Sequence, residues 1–402
     1  MNQNFDIIIV GGGAAGFFTA INIAEKNPRL KIAILERGKQ VLEKVRISGG
    51  GRCNVTHACF VPGELVKFYP RGEKELRGPF NQFSSGDTIE WFEKFGVVLK
   101  TEADGRMFPV SDSSQTIIDC FLNATKKMGI AVLTSQSVQS IFKSDDYWKI
   151  ATQSETFVAE KLILATGSNP KIWEMLQTFD HSIVSPVPSL FTFNIKDARI
   201  KDLMGLSAEA NVKINDSRLS ASGPLLITHW GMSGPAILKL SAWGARILNE
   251  KNYQIYITVN WLKDLNTAEC EAILRATKLE HAKKAVLKKS PFDFPSRLWE
   301  SFVVAANVDT ETKWADLNKN QLQSLASQLT NAVYQVNGKS TYKEEFVTAG
   351  GIDLKEINFK TMESKLHKNL YFAGEIVNID AITGGFNFQN AWTSGFILAN
   401  GI

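Results

Sequence analysis

The chain has 402 residues, enough for two or three domains of about 150 residues and for a core that needs no disulfide or metal. Apolar residues make up 44% and charged residues 21%, which excludes disordered, collagen-like and small disulfide-stapled proteins. The net charge of +4 is too small for this length to require a nucleic-acid or membrane partner.

The cysteines and histidines of the chain do not form a recognisable metal-binding or disulfide pattern. We therefore expect no metal site and a cytoplasmic location. The uncharged stretch 7–24 is interrupted by glycines and lacks a basic segment before it, so we expect neither a signal peptide nor a membrane span. The sequence does not indicate an oligomeric state.

The first predicted elements are a strand, a glycine turn and a helix. The β-branched run Asp6–Val10 predicts a buried strand, and Phe17–Lys26 has helical patterning. A second buried strand, Lys31–Leu35, leads directly into Glu36. The turn between the first strand and the helix consists of Gly11, Gly12, Gly13, Ala14, Ala15 and Gly16.

The rest of the chain divides into a β-rich stretch, a helical stretch and a return to strand and helix. The pattern predicts helices at 85–95, 113–128 and 389–398, and strands at 130–133, 137–142, 148–151, 162–165 and 370–373. Residues 186–259 alternate as in an antiparallel sheet, and 262–328 have helical periodicity. We predict an α/β fold in which a two-part domain, 1–188 and 343–402, is interrupted by a β-rich module at 189–261 and a helical module at 262–342.

The glycine turn and Glu36 together predict a dinucleotide site. Gly11 permits a tight turn, Gly13 lets backbone N–H groups approach a pyrophosphate, and Gly16 lets the helix pack on the sheet. The N-terminus of the helix favours phosphate charge, and Glu36, next to Arg37, can accept hydrogen bonds from the ribose hydroxyls. A ribose 2′-phosphate would be repelled by this carboxylate.

Three further segments favour FAD over NAD, because a longer cofactor needs more contacts. These segments are another glycine-rich loop, an ATG turn after a buried strand, and a pair of turns near the C-terminus. Backbone amides of the loop, with Arg52 and Lys44, could hold phosphate or ribityl oxygens. The residues are Ser48, Gly49, Gly50, Gly51, Arg52, Cys53 and Asn54; Ala165, Thr166 and Gly167; and Gly374, Glu375, Gly384, Gly385, Phe386 and Asn387.

In these motifs the sequence resembles the BaiN-like NAD(P)/FAD-dependent oxidoreductases, which include aminoacetone-oxidase-like flavoproteins. The resemblance covers nearly the whole chain and implies a glutathione-reductase-type FAD-binding Rossmann-like domain with an inserted β-rich module and a small helical bundle. It implies that Glu36 binds the adenosine ribose, that the backbone near Val138 binds adenine, and that Gly49–Asn54 and Gly384–Asn387 bind the flavin side. The matching segments are Val10–Gly16, Ile47–His57, Gly105–Ser111, Thr228–Leu238, Thr348–Lys365 and Leu370–Trp392.

The chain departs from the family pattern near its C-terminus. Val377-Asn378 stands where Leu-Asp is usual, and Ala381 stands where a glycine is common. The carboxylate missing at Asn378 weakens the assignment of a substrate but not of the fold.

Several side chains leave alternative roles open. Cys53 and Cys59 could be a redox pair, although five residues separate them where flavin disulfide reductases have four; the alternative is that they are packed near the cofactor. His57 and His229 are candidate proton donors or structural histidines. The segment Thr228–Leu238 could line a substrate site or form a hairpin.

The combined prediction is an FAD-dependent oxidoreductase that transfers a hydride between flavin N5 and a small organic substrate. The resemblance implies oxidation of an amine or amino ketone, or reduction of a conjugated ketone. No second nucleotide fingerprint is present in the sequence, so the flavin either meets NAD(P)H as a transient electron donor or uses another electron source. One alternative is a flavoprotein that acts on or binds nucleic acid, favoured only by Lys283, Lys284, Lys288 and Lys289. The other is a non-catalytic interaction protein stabilised by FAD.

Overall fold

A computed structural model describes residues 2–340 and 347–402, which form two compact units. The first unit comprises residues 2–187 together with 347–402. The second comprises the described residues 188–340. The domain boundary predicted at 342/343 lies outside the described residues.

Both units contain strands and helices. The strands are β1 (Asn2–Val10), β2 (Ile32–Leu35), β3 (Thr56–His57), β4 (Leu99–Thr101), β5 (Arg106–Pro109), β6 (Ala131–Leu133), β7 (Val138–Lys143), β8 (Trp148–Thr152), β9 (Thr156–Leu164), β10 (Ile183–Ser189), β11 (Thr192–Asn194), β12 (Ser207–Ile214), β13 (Ser220–Ile227), β14 (Gly231–Ser233), β15 (Gln254–Asn260), β16 (Ala332–Asn337), β17 (Lys339–Ser340), β18 (Val347–Ile352), β19 (Ile357–Asn358), β20 (Glu363–Ser364) and β21 (Leu370–Phe372). The α-helices are α1 (Ala14–Lys26), α2 (Glu43–Gly51), α3 (Pro62–Leu65), α4 (Arg77–Phe80), α5 (Ser85–Lys94), α6 (Ser114–Lys127), α7 (Pro170–Gln177), α8 (Pro235–Trp243), α9 (Ala245–Glu250), α10 (Thr267–Glu280), α11 (Ser296–Ala305), α12 (Lys319–Thr330) and α13 (Phe386–Gly401).

The first unit is built on a mainly parallel sheet. The order of strands along it is β19-β20-β21-β9-β1-β2-β6, with β7 and β8 joined through β9. Strands β21, β9, β1, β2 and β6 run parallel to one another. The side chains of Ile7–Val10 and Ile32–Leu35 are buried, as expected for strands covered on both faces. The carboxyl ends of the parallel strands therefore meet at one edge of the sheet.

Helices α1 and α13 pack against each other. The rings of Phe18 and Trp392 lie 5.3 Å apart between their centroids. Gly395 permits the close approach, since a Cβ there would lie 2.7 Å from Thr19 Oγ1. The first and the last helix of the chain are thereby joined in one core.

The second unit is an antiparallel sheet with helices packed on it. The order of strands is β16-β15-β12-β13-β14-β11-β17. Its core contains the side chains of Trp261, Trp299, Phe302 and Trp314, all buried. The predicted β-rich and helical modules thus contribute to a single core.

Helices α8 and α9 and strand β16 of the second unit differ from the sequence prediction. Helices α8 and α9 interrupt the stretch expected to be antiparallel strands. Pro235 starts α8 directly after Gly234, and the apolar run that follows is compatible with either a buried helix or a strand. Strand β16 returns to the sheet beside β15 after the helices, with side chains that alternate between buried and exposed.

A buried histidine ties together two segments of the first unit. His181 Nδ1 lies 2.8 Å from Glu356 Oε2, and Ser364 Oγ lies 3.0 Å from His181 Nε2. Ser364 Oγ also accepts hydrogen bonds from the backbone N–H groups of Leu366 and His367, so its own hydrogen points to the imidazole. The hydrogen-bonded order Ser364, His181, Glu356 resembles that of a catalytic triad. All three groups, however, have their hydrogen-bond partners within the fold, and the His181 side chain is fully buried.

We predict that the burial of His181 makes the free energy of unfolding fall as the pH drops below the ordinary pKa of histidine. Burial lowers its pKa below the ordinary value of 6.5, an effect that Glu356 partly offsets. Below that ordinary value the unfolded chain binds a proton that the folded chain does not, so the free energy of unfolding decreases as the pH falls. His181→Gln should lose about 1–3 kcal/mol at pH 8 through lost hydrogen bonds, and should show a smaller further decrease toward pH 5 than the wild type.

Urea unfolding between pH 8 and pH 5 measures this difference. The exposed His229→Gln serves as the control and should keep the wild-type pH dependence. Parallel pH profiles for the wild type and His181→Gln would show that His181 does not contribute.

Candidate functional site

Four predicted site segments lie at the carboxyl edge of the parallel sheet. Gly11 follows β1, Glu36 follows β2, Ala165 follows β9, and Gly374 lies just beyond β21. Because these strands are parallel neighbours, the turns after them are brought together although they are far apart in the sequence. Ligands of open α/β sheets bind at such an edge.

Gly11 lies directly against the turn after β9. Its φ of +118° disfavours any residue with a side chain, and a Cβ would lie 2.3 Å from the carbonyl oxygen of Ala165. The backbone N–H of Ala165 donates to Val10 O at 2.8 Å. The first glycine turn and the segment Ala165–Gly167 are therefore in contact.

Glu36 is held by the backbone on both carboxylate oxygens. The N–H of Gly12 donates to Oε2 at 2.9 Å, and the N–H of Gly38 donates to Oε1 at 2.7 Å. Each oxygen keeps a second lone pair that can accept a hydrogen bond from a ligand. The neighbouring Arg37 is exposed.

Val138 lies close to the Glu36 turn. The backbone N–H of Gln136 donates to Glu36 O at 2.8 Å, and the N–H of Glu36 donates to Leu133 O at 2.8 Å. Val138 is buried two residues farther on, at the start of β7. The segment that the resemblance assigns to adenine is thus adjacent to the acidic turn.

The first turn of α1 contacts the turn after β21. Ala14, Ala15 and Gly16 form this first helical turn, which has no side-chain cap hydrogen bond. A Cβ on Gly374 would lie 2.9 Å from the Ala15 Cβ, so these backbones approach closely. Gly13 faces open space. The start of α1 thus presents backbone N–H donors beside Gly374.

Lys44, Glu375 and Gly167 meet at a second junction. Lys44 Nζ donates to Glu375 Oε2 at 2.7 Å, and the N–H of Thr348 donates to Oε1 at 2.9 Å. A Cβ on Gly167 would lie 3.8 Å from Glu375 Oε2. Thr166, between Ala165 and Gly167, is partly exposed. The start of α2, the ATG turn and the turn after β21 are therefore linked.

The second glycine loop is a left-handed turn at the end of α2. Gly49, Gly50 and Gly51 all have positive φ, and the N–H of Cys53 donates back to Ser48 O at 3.0 Å. Asn54, the last residue of the loop, binds the other glycine turn: Oδ1 accepts from Gly385 N–H at 3.0 Å, and Nδ2 donates to Thr56 O at 3.0 Å. Asn54 therefore joins the two glycine-rich segments.

Arg52 contacts carboxylates of the protein. Its Nη1 lies 2.6 Å from Glu102 Oε1 and 3.5 Å from Asp112 Oδ1, and the guanidinium lies 3.9 Å from the centre of the Phe108 ring. These contacts hold the glycine loop against the β3-β5-β4 sheet. The geometry favours a structural role for Arg52 over direct binding of phosphate.

The turn at Gly384–Gly385 starts helix α13. A Cβ on Gly385, where φ is +93°, would lie 2.5 Å from Thr56 O. Asn387 stabilises the turn, because Oδ1 accepts from Ala381 N–H at 2.9 Å and Nδ2 donates to Ala381 O at 3.1 Å. The ring of Phe386 is buried. Helix α13 also lacks a side-chain cap hydrogen bond, so its first N–H groups are presented at the turn.

The two candidate proton donors have different environments. His57 Nδ1 lies 3.1 Å from Gly384 O, an acceptor, so this nitrogen carries the hydrogen. Burial lowers the pKa of His57 and favours the neutral ring. Nε2 then has no hydrogen to donate, and Gly105 lies against it. His229 is exposed in the turn between β13 and β14 of the second unit.

Cys53 and Cys59 are both free thiols. Cys53 is fully buried, and burial raises its pKa to about 12. Burial also raises the pKa of Cys59. Reactive cysteines have lowered pKa values, so these environments favour packing over redox chemistry.

Gln389, a buried polar residue at the start of α13, was not predicted as part of the site. Gln389 Oε1 accepts hydrogen bonds from Thr56 Oγ1 at 2.6 Å and from Thr88 Oγ1 at 3.0 Å. Trp392 Nε1 donates to Val55 O at 2.9 Å. The apolar patterning of this helix predicts burial, but only the fold reveals these partners, which are distant in the sequence.

Within residues 2–340 and 347–402, no cluster of His, Cys, Asp or Glu side chains has the arrangement of a metal site. None of the helices described is both long and apolar enough to cross a bilayer.

Comparison with known proteins identifies the family. Residues 5–401 match the model of the HI0933-like protein Rossmann domain. The chain is 28% identical to the ribosomal RNA dihydrouridine synthase of Escherichia coli over 407 residues, covering 99% of this chain and 98% of the relative. It is 23% identical to the 3-dehydro-bile acid delta(4,6)-reductase of Clostridium scindens, with 97% of each chain covered.

A solved structure has the same fold. The 3-ketosteroid-delta4-(5alpha)-dehydrogenase of Rhodococcus jostii aligns with a TM-score of 0.50 and 11% identity, covering 99% of this chain and 97% of that one. The resemblance to BaiN-like oxidoreductases is confirmed. The chain therefore belongs to the HI0933-like Rossmann family and has the FAD-binding fold of FAD-dependent oxidoreductases.

Proposed function

We propose that the chain binds one FAD along the carboxyl edge of the parallel sheet. Glu36 and the backbone near Val138 would hold the adenosine, and Gly11–Gly16 the pyrophosphate. Glu375 would bind the ribityl chain, and Gly384–Asn387 the flavin. The observation that carries this proposal is the convergence of these segments through direct contacts.

The donor groups in these segments fit such a ligand. The first turns of α1 and α13 both lack side-chain caps, and the space beside Gly13 is open. Backbone N–H groups at a helix N-terminus favour phosphate oxygens at α1 and a developing negative charge on the flavin pyrimidine at α13. The Glu36 carboxylate suits a ribose with both hydroxyls free.

Bound FAD supplies reversible hydride chemistry at flavin N5. We propose that the reaction is the reduction of a carbon–carbon double bond conjugated with a carbonyl group. The relative from C. scindens is named as a delta(4,6)-reductase of a 3-dehydro bile acid, and dihydrouridine differs from uridine by reduction of such a bond. Both names describe the reduction of a conjugated double bond. This is one of the two reactions that the resemblance implied, the other being oxidation of an amine or amino ketone.

Reduction of such a bond adds a hydride at the β-carbon and a proton at the α-carbon. His57 lies beside the Gly384 turn, but its hydrogen is held by Gly384 O. The geometry therefore favours a role for His57 in positioning the turn, with the proton supplied by another donor. NAD(P)H is one candidate for the transient electron donor, and another electron source is the alternative.

The proposal predicts a half-reaction that can be followed through the flavin spectrum. The FAD-loaded protein, reduced anaerobically with NADH, NADPH or dithionite, should be reoxidised by a conjugated enone and yield one saturated ketone per flavin. A saturated ketone of the same skeleton is the control and should leave the flavin reduced. Stopped-flow absorbance and mass spectrometry of the product measure the two events.

Other outcomes distinguish the remaining alternatives. Anaerobic bleaching of the oxidised flavin by an amine or amino ketone, with no reoxidation by enones, would favour the oxidase reaction. Tight FAD binding without either reaction would favour a non-catalytic flavoprotein.

A second candidate function is the same reduction carried out on a uracil base in RNA. The E. coli relative, named for dihydrouridine in ribosomal RNA, favours it over the full length of the chain. The distribution of charge also supports it. The first unit contains 25 basic and 25 acidic residues, whereas residues 188–346 contain 20 basic and 16 acidic ones, so the excess of +4 lies in residues 188–346.

RNA binding would depend on salt through the lysines of the second unit. Lys283, Lys284 and Lys288 are exposed and Lys289 is partly exposed. Each phosphate contact contributes about 0.7 to 0.9 to the slope of log K against log salt. Replacing the four lysines by glutamine should lower the slope by up to about 3, whereas the exposed pair Lys126→Gln/Lys127→Gln in the first unit should leave it unchanged.

Fluorescence anisotropy with a ribosomal RNA fragment between 50 and 300 mM salt measures the slope, because each phosphate contact changes the affinity about fourfold over this range. Affinity that does not change with salt would contradict this second candidate.

A further inference from the structure

A short segment before α4 is bonded to the turn that starts α13. The segment is Phe68–Gly72, and the turn-bearing stretch is Ile379–Phe386. They are more than 300 residues apart in the sequence, and no motif predicted their contact. The contacts come from both side chains and backbone.

The central contact is a buried ion pair. The Arg71 guanidinium donates to both carboxylate oxygens of Asp380 through Nε and Nη2. The Asp380 side chain is fully buried, and that of Arg71 is 14% exposed. Two parallel hydrogen bonds fix the orientation as well as the distance of the partners. The same two residues also form an antiparallel β-bridge.

Further contacts lie on either side of this pair. Tyr69, fully buried, donates its hydroxyl hydrogen to Phe386 O at 2.5 Å, within the first turn of α13. The N–H of Ile382 donates to Phe68 O at 3.0 Å. Gly72 packs against Ile379, because a Cβ there would lie 2.6 Å from Ile379 Cγ1.

These contacts hold the stretch on both sides of Gly384–Gly385. The turn itself rests on Thr56 and Asn54, and its helix begins at Phe386. Movement of Asp380 or of Phe386 O would therefore move the N–H groups at the start of α13. None of the contacting side chains of Phe68–Gly72 belongs to the predicted cofactor-binding set.

We propose that Phe68–Gly72 is a clamp that positions the start of α13 toward the flavin, with Arg71 and Tyr69 as its positioning residues. This inference rests on the proposed FAD site. The clamp would act through the helix N-terminus, whose partial positive charge stabilises the reduced, negatively charged flavin more than the oxidised, neutral one. Loosening it should weaken binding of reduced FAD more than binding of oxidised FAD.

The test measures the reduction potential of bound FAD in the full chain. Arg71→Lys keeps the charge but loses the two-bond geometry, and Tyr69→Phe removes only the hydroxyl. In both variants we expect reduced FAD to lose about two- to fivefold more affinity than oxidised FAD, which shifts the potential to more negative values. Arg77→Lys, which alters an exposed arginine paired with Glu73, is the matched control and should keep the wild-type potential.

A role restricted to stability would leave the potential unchanged. Wild-type potentials in folded, FAD-loaded Arg71→Lys and Tyr69→Phe, even with lower melting temperatures, would overturn the clamp while leaving the FAD site intact. If Arg71→Lys does not fold, Tyr69→Phe alone decides the question. A wild-type protein that binds no FAD would instead overturn the proposed function and the clamp with it.

Discussion

The site depends on the parallel arrangement of β21, β9, β1 and β2. Parallel strands end at the same edge of a sheet, so the turns after them must share a small space. That space is so restricted that a Cβ on Gly11 would lie 2.3 Å from the carbonyl oxygen of Ala165. A side chain at Gly11 would separate these two turns, and the rest of the candidate site depends on their contact.

The polar groups around this edge are divided between those that hold the protein together and those that remain for a ligand. Arg52 is paired with Glu102 and Asp112, and Asn54 is bonded to Gly385. The N–H groups at the start of α1 and α13 have no side-chain cap. The side chains thus set the positions of backbone donors, and the backbone carries most of the proposed contacts with phosphate and flavin.

Local patterns predicted the elements of the first unit well, because its strands are short apolar runs followed by glycine. Asp6–Val10 and Leu370–Ala373 were predicted in this way, and each lies within or next to an observed strand. Helix α8 was missed because an apolar run after proline fits a strand equally well. The pair of Arg71 and Asp380 could not be predicted, since nothing local connects two residues so distant in the sequence.

Flavin titration of the full chain shows whether the separate turns bind a single extended dinucleotide. After removal of any bound flavin, we expect one FAD per chain and much weaker binding of FMN, because FMN cannot reach the Glu36 and Val138 end of the edge. Glu36→Gln should weaken FAD binding about tenfold or more and leave FMN binding unchanged, while the exposed Glu43→Gln changes neither. Equal affinity for FMN and FAD, or no binding of FAD, would show that the turns do not share one dinucleotide.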